Sequence, residues 1–117
     1  MSGRGGTVYE LLISDHAFAI IAAAIHALNL QTQRFNTLRD VVGAALREPT
    51  FTDRELLEEF KSFLPIDGPV RIYFRANTDE REDLEKGKET LCALLKGICN
   101  SRETIVFCAY LLIKKYG

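Results

Sequence analysis

Thr104-Ile-Val-Phe-Cys-Ala-Tyr-Leu-Leu-Ile113 is apolar at almost every position and begins with β-branched and aromatic residues. That start reads as a central β-strand. Ala109, Leu111, Leu112 and the lysines after Ile113 make helix the alternative, and the choice sets the size of the sheet. Immediately upstream, a helix is expected from Asn77 or Thr78 to about Ile98. Its acids Asp79, Glu80, Glu82, Asp83 and Glu85 sit near the positive end of the helix dipole. Its apolar positions Leu84, Leu91, Leu94, Leu95 and Ile98 begin late, so its second half should be the docked part. Before it, Val70-Arg-Ile-Tyr-Phe-Arg75 alternates as a half-buried strand, with Val70, Ile72 and Phe74 inward and Arg71, Tyr73 and Arg75 outward.

Further out, Pro65-Ile-Asp-Gly-Pro69 is a turn by composition. Thr52-Asp-Arg-Glu55 has the form of a capping box opening a helix from Asp53 to about Phe63. The buried face of that helix would carry Leu56, Leu57, Phe60, Phe63 and Leu64. A helix from Asn36 or Thr37 to about Arg47 is closed by Pro49. Thr7–Ile13 reads as a strand, and Ser14-Asp15 can cap a helix from His16 to about Asn29. This last helix is apolar on nearly every side and should therefore be covered all round. The order is β-α-α-α-β-α-β: an α+β domain with a small three-stranded sheet and about four helices. Residues 1–6 form a flexible Gly-rich leader, and 7–117 form a single domain. The final strand–helix–strand unit is long enough for a right-handed parallel crossover, and the open edges of so small a sheet favour a homodimer.

Composition bounds the function. With 15 Lys+Arg against 16 Asp+Glu in 117 residues, the formal charge of −1 argues against bulk electrostatic binding of nucleic acid or anionic membrane. A hydrophobic content of 47% at near-zero charge is a folding composition. Three cysteines, Cys92, Cys99 and Cys108, are an odd set and read as buried free thiols of a reducing, intracellular compartment. No secretory signal is legible at the start. The apolar run Ala17–Leu28 falls short of the ~20 residues that span a bilayer, so no membrane partner is expected.

Familiar chemistry is not spelled out. Cys92 and Cys99 would stand about 10 Å apart along a helix, and the two histidines, His16 and His26, about 15 Å apart, too far for a shared metal. Gly87-Lys-Glu-Thr90 imitates the end of a P-loop, yet Glu82 occupies the place of its first glycine. Gly87 inside a helix instead suggests a close contact or bend. His16 beside Asp15 is the only candidate base, without a nucleophile motif. We expect no enzyme and no cofactor.

Two surface features remain. Arg71, Tyr73 and Arg75 alternate on one strand face, where an aromatic between two guanidiniums could stack a base and hold phosphate, and Lys114-Lys115-Tyr116 could extend that face. Leu57-Glu-Glu-Phe60-Lys-Ser-Phe63-Leu64-Pro65 resembles the closing helix of the paired amphipathic helix domains of Sin-type corepressors, whose pattern is Leu-x-x-Phe-Asn-x-Phe-Leu-Pro. The match covers nine residues, with Lys61 in place of the asparagine, and it implies helix-in-groove binding of amphipathic peptides around Phe60 and Phe63. The expectation is a small regulatory or accessory protein, of a kind often encoded by viruses, that contacts another protein and self-associates. Nucleic-acid binding through Arg71, Tyr73 and Arg75 is the alternative.

Overall fold

In the computed structural model, which describes residues 6–94 and 100–116, the run Thr104–Ile113 is helical. It forms most of α5 (Ser101–Tyr116). Every residue from Thr104 to Leu112 is buried. The other elements, β1 (Thr7–Ile13), α1 (Asp15–Thr32), α2 (Leu38–Leu46), a 3-10 turn (Pro49–Thr52), α3 (Arg54–Lys61), β2 (Val70–Ala76) and α4 (Thr78–Leu94), surround it or pack on those that do. A helix walled in on all sides needs apolar residues on all sides, so the 3.6-residue rhythm that would announce it disappears. The expected central strand is thus corrected: tertiary burial overrides the β-branched preference of Thr104, Ile105 and Val106.

The sheet consequently has two strands, not three. β1 and β2 pair antiparallel in the register Thr7↔Ala76 to Ile13↔Val70, and there is no parallel crossover among the described residues. The α+β class stands, with five α-helices among the described residues. Leu11, Ile13, Phe74 and Ala76 turn inward toward the helices. Arg102 at the start of α5 donates from Nη1 to the carbonyl of Leu12, tying the central helix to β1 (3.3 Å).

Around α5 the aromatic contacts are dense. Phe107 meets Phe60 and Phe51 at 5.4 and 5.9 Å between ring centroids, and Tyr110 meets Phe63 and Phe60 at 5.4 and 5.8 Å. Such tilted and edge-on pairs add to the area they bury. Two glycines mark close approaches. A Cβ on Gly68 would lie 2.6 Å from Ser14 Cα, where the loop before β2 presses on the β1–α1 junction and Ile66 accepts from the Ser14 N–H (2.7 Å). A Cβ on Gly87 would lie 2.7 Å from Leu46 Cδ2 and 3.1 Å from Phe51 Cζ. The close contact expected at Gly87 is thus present, against α2 and the 3-10 turn.

Cys108 is a fully buried free thiol whose pKa burial pushes up, whereas Cys92 is disulfide-bonded, correcting the expectation of free thiols there. Cys99, Leu95, Ile98 and the leader residues 1–5 lie outside the described residues. Among the described residues no helix is long and apolar enough to cross a membrane.

The helix expected to be covered all round is not. Along α1, Ala17, Ile20, Ile21, Ala24 and Leu28 are buried, while Phe18, Ala19, Ala22, Ala23, His26 and Leu30 face outward. The enveloped helix is α5 instead.

Candidate functional site

Pairing of β1 with β2 brings two alternating sequences onto one open face. In the register Val8↔Arg75, Glu10↔Tyr73 and Leu12↔Arg71, the outward side chains form three cross-strand couples. Val8, Leu12 and Tyr73 are all exposed, Tyr73 at 62%. The alternation read for Val70–Arg75 places Arg71, Tyr73 and Arg75 outward as expected. The β1 side of the surface carries two aliphatic side chains and one carboxylate. Arg71 forms an ion pair across the strands, its Nε 2.9 Å from Glu10 Oε2, so its charge is largely used at home. Arg75 has no ion-pair partner among the described residues. Among the described residues the face therefore offers one free cation, one exposed phenol and two aliphatic side chains.

Lys114 and Lys115 do not extend this face. They sit twelve and thirteen residues up α5 from Arg102, about 18–20 Å along the axis from the end that touches β1. Lys114 Nζ lies 3.3 Å from Glu59 Oε1 on α3, and Lys115 pairs with Glu48 before the 3-10 turn, which holds its pKa up. The Lys114–Glu59 pair belongs to a small network: Glu59 also accepts from the Tyr110 hydroxyl. The hydrogen bonds from Tyr110 and Lys114 hold the Glu59 carboxyl below the usual carboxylate range. Burial, then the Glu59 bond and charge, push Tyr110 up to about 12.

Phe60 and Phe63 are likewise placed by packing. Phe60 is fully buried against α5, and Phe63 is partly buried and covered on one side by His16, 5.1 Å between centroids. Of the segment that resembles the corepressor helix, Leu57–Lys61 belongs to α3, whereas Phe63, Leu64 and Pro65 lie beyond its end; Phe60 fills the core and Phe63 packs against it, and neither lines a groove of a four-helix bundle. His16, the candidate base, is a packing partner of Phe63. Among the described residues no group of three or more His, Cys, Asp or Glu side chains could hold a metal ion. The P-loop-like segment lies on α4, beside a cavity of about 360 Å³ whose rim carries Arg47, Asp83 and Lys86.

Sequence reading missed a second open surface. At the far end of α1, Leu30 is 68% exposed and Phe35, in the connector to α2, 97% exposed. With Phe18 at 46%, they give the helix an apolar outer flank. The available signal was the composition of Ala17–Leu30 itself, which leaves no polar face to turn to water. No protein-family model matches this chain, and neither a curated protein nor a solved structure is similar to it.

Proposed function

We propose that this chain is a non-enzymatic interaction module of a regulatory or accessory kind, which self-associates and docks another protein across the outer face of β1 and β2. The observation that carries this reading is the exposure of large apolar side chains on two separate faces: Val8, Leu12 and Tyr73 on the sheet, and Phe18, Leu30 and Phe35 beside α1. Single exposed apolar residues are ordinary, whereas grouped ones mark contact surfaces. Aromatic residues and arginine are also the types that anchor protein interfaces, and Tyr73 with Arg75 supplies both.

A second reading takes the same strand as a nucleic-acid platform, because the exposed Tyr73 stands between Arg71 and Arg75. The Glu10 pair on Arg71 and the net charge of −1 weigh against it, since most contacts to nucleic acid go to phosphate. Labelled single- and double-stranded oligonucleotides, titrated at low and moderate salt, separate the two. No binding at micromolar protein supports the protein-docking reading. Binding that falls steeply with salt and is lost in Tyr73→Ser and Arg75→Ser would replace it with the second.

A further inference from the structure

We propose that the exposed face of α1 is the surface on which two copies of this chain meet, as an antiparallel pair with two-fold symmetry. The inference rests on the self-association part of the proposed function and names its geometry. α1 presents to solvent a strip whose ends differ and whose reversed copy complements it. Phe18 lies six residues before Ala24 and Leu30 six residues after it, each about 9 Å along the axis from that point. When a second α1 is laid antiparallel with the two-fold axis level with Ala24, Phe18 of one copy comes level with Leu30 of the other, and Ala22 with His26.

The fit is of three kinds. At the Leu30 end there is a cavity of about 230 Å³ lined by Asn29, Leu30, Gln33, Arg34 and Phe35, with room for an aromatic ring. The exposed Phe18 of the second copy is the ring at that level. In the middle, Ala19, Ala22 and Ala23 are small enough to let two helix axes approach at the short end of the usual 8–10 Å. At the extremities, Asp15 stands one turn before Phe18, and Arg34 stands on the rim of the cavity that Phe18 of the other copy would enter.

Asp15 and Arg34 are both exposed, and among the described residues neither has an ion-pair partner. Asp15 opens α1 and Arg34 lies two residues past its end, so the two stand at opposite ends of a helix about 27 Å long and cannot meet within a chain. In the antiparallel pair each Asp15 faces an Arg34, twice. Between them the strip holds no Asp, Glu, Lys or Arg. A surface that is apolar along its length, acidic at one end and basic at the other is matched by its own reverse, and an isologous contact needs that property. The strip is about 27 Å by 10–12 Å, which places the contact at or below the lower end of the interface range and its dissociation constant in the micromolar region.

Sedimentation equilibrium of the full chain from about 1 to 200 µM tests this, a range that brackets a micromolar constant. The expected result is a reversible monomer–dimer equilibrium. Phe18→Ser weakens it by about a hundredfold, and Asp15→Arg or Arg34→Asp alone by roughly tenfold. The equal mixture of Asp15→Arg with Arg34→Asp restores a dimer, because the arginine introduced in one chain then meets the native Arg34 site of the other, where an aspartate now stands. Tyr73→Ser, on the sheet, leaves the equilibrium unchanged. A wild-type chain that stays monomeric throughout overturns this proposal and the self-association reading together. A dimer indifferent to Phe18→Ser and to both charge reversals overturns the α1 assignment and leaves self-association in place. The charge reversals act at exposed positions with no ion-pair partner among the described residues, so they decide the matter even if Phe18→Ser fails to fold.

Discussion

At the scale of the single residue, the Tyr110–Glu59 contact shows how burial converts an ordinary pair into a pH-dependent one. Tyr110 is buried on α5 and donates to Glu59, which also takes Lys114. The tyrosine pKa is raised from 10.0 to about 12 by burial first and by Glu59 second, so the folded state holds that proton more tightly than the unfolded state. The associated stability is whole below pH 10 and is lost as pH rises toward 12. Glu59 runs the other way: its carboxyl is lowered from 4.5 by hydrogen bonds from Tyr110 and Lys114, so its contribution is present above that value and lost as pH falls through the folded one. Urea unfolding as a function of pH should therefore show a shallower alkaline decline in Tyr110→Phe and a shallower acid decline in Glu59→Gln. The alkaline slope does not vanish in Tyr110→Phe, because Tyr9 and Cys108 are also pushed up by burial. None of this could be read from Tyr110 in the sequence, since its partner is 51 positions away.

At the scale of the element, α3 shows where local signals succeed and by how much they slip. The run Thr52–Glu55 announces a helix start, and a helix does start there. Thr52, however, is taken up by the 3-10 turn Pro49–Thr52, so the cap passes to Asp53, whose Oδ1 accepts from the backbone N–H of Glu55 (2.9 Å) and Leu56 (3.4 Å). Asp53→Ala should cost about 1 kcal/mol, while Thr52→Ala should stay within about 0.5 kcal/mol, both measured from denaturant midpoints at neutral pH. The reverse order would restore Thr52 as the cap. The reciprocal device appears at α2, where Asp40 accepts from the Thr37 backbone N–H (2.9 Å); of the two caps expected there, Asn36 or Thr37, it is Thr37 that takes the position. β2 was legible almost to the residue, because one face is buried and the other is not, and the period of two survives; β1 was legible in its bounds but not in its facing, because Val8 and Leu12 on its open face are as apolar as Leu11 and Ile13 on its buried one. α5 was not, because no face of its buried stretch is open.

At the scale of the whole molecule, α5 is the axis around which the other layers are assembled, and Phe107 is its central contact, fully buried between Phe51 and Phe60. Phe107→Ala should cost about 3–5 kcal/mol, a large share of the roughly 5–15 kcal/mol by which a domain of this size is stable. Urea unfolding should show a lowered midpoint with an unchanged slope; a loss below about 1 kcal/mol would mean that the core closes over the gap. By itself the sequence determined the α+β class, the bounds of the two strands with the inward and outward residues of β2, the starts of four helices and the absence of bulk charge for nucleic acid. These are set by spacing along the chain, and neighbouring residues carry them. Only the tertiary structure decided that Thr104–Ile113 is a helix, that Lys114 and Lys115 pair with Glu59 on α3 and with Glu48 before the 3-10 turn, and that one apolar flank of α1 stays open. Each of those depends on what lies across the gap from the residue, and apolar composition states that a surface must be covered without stating by which element.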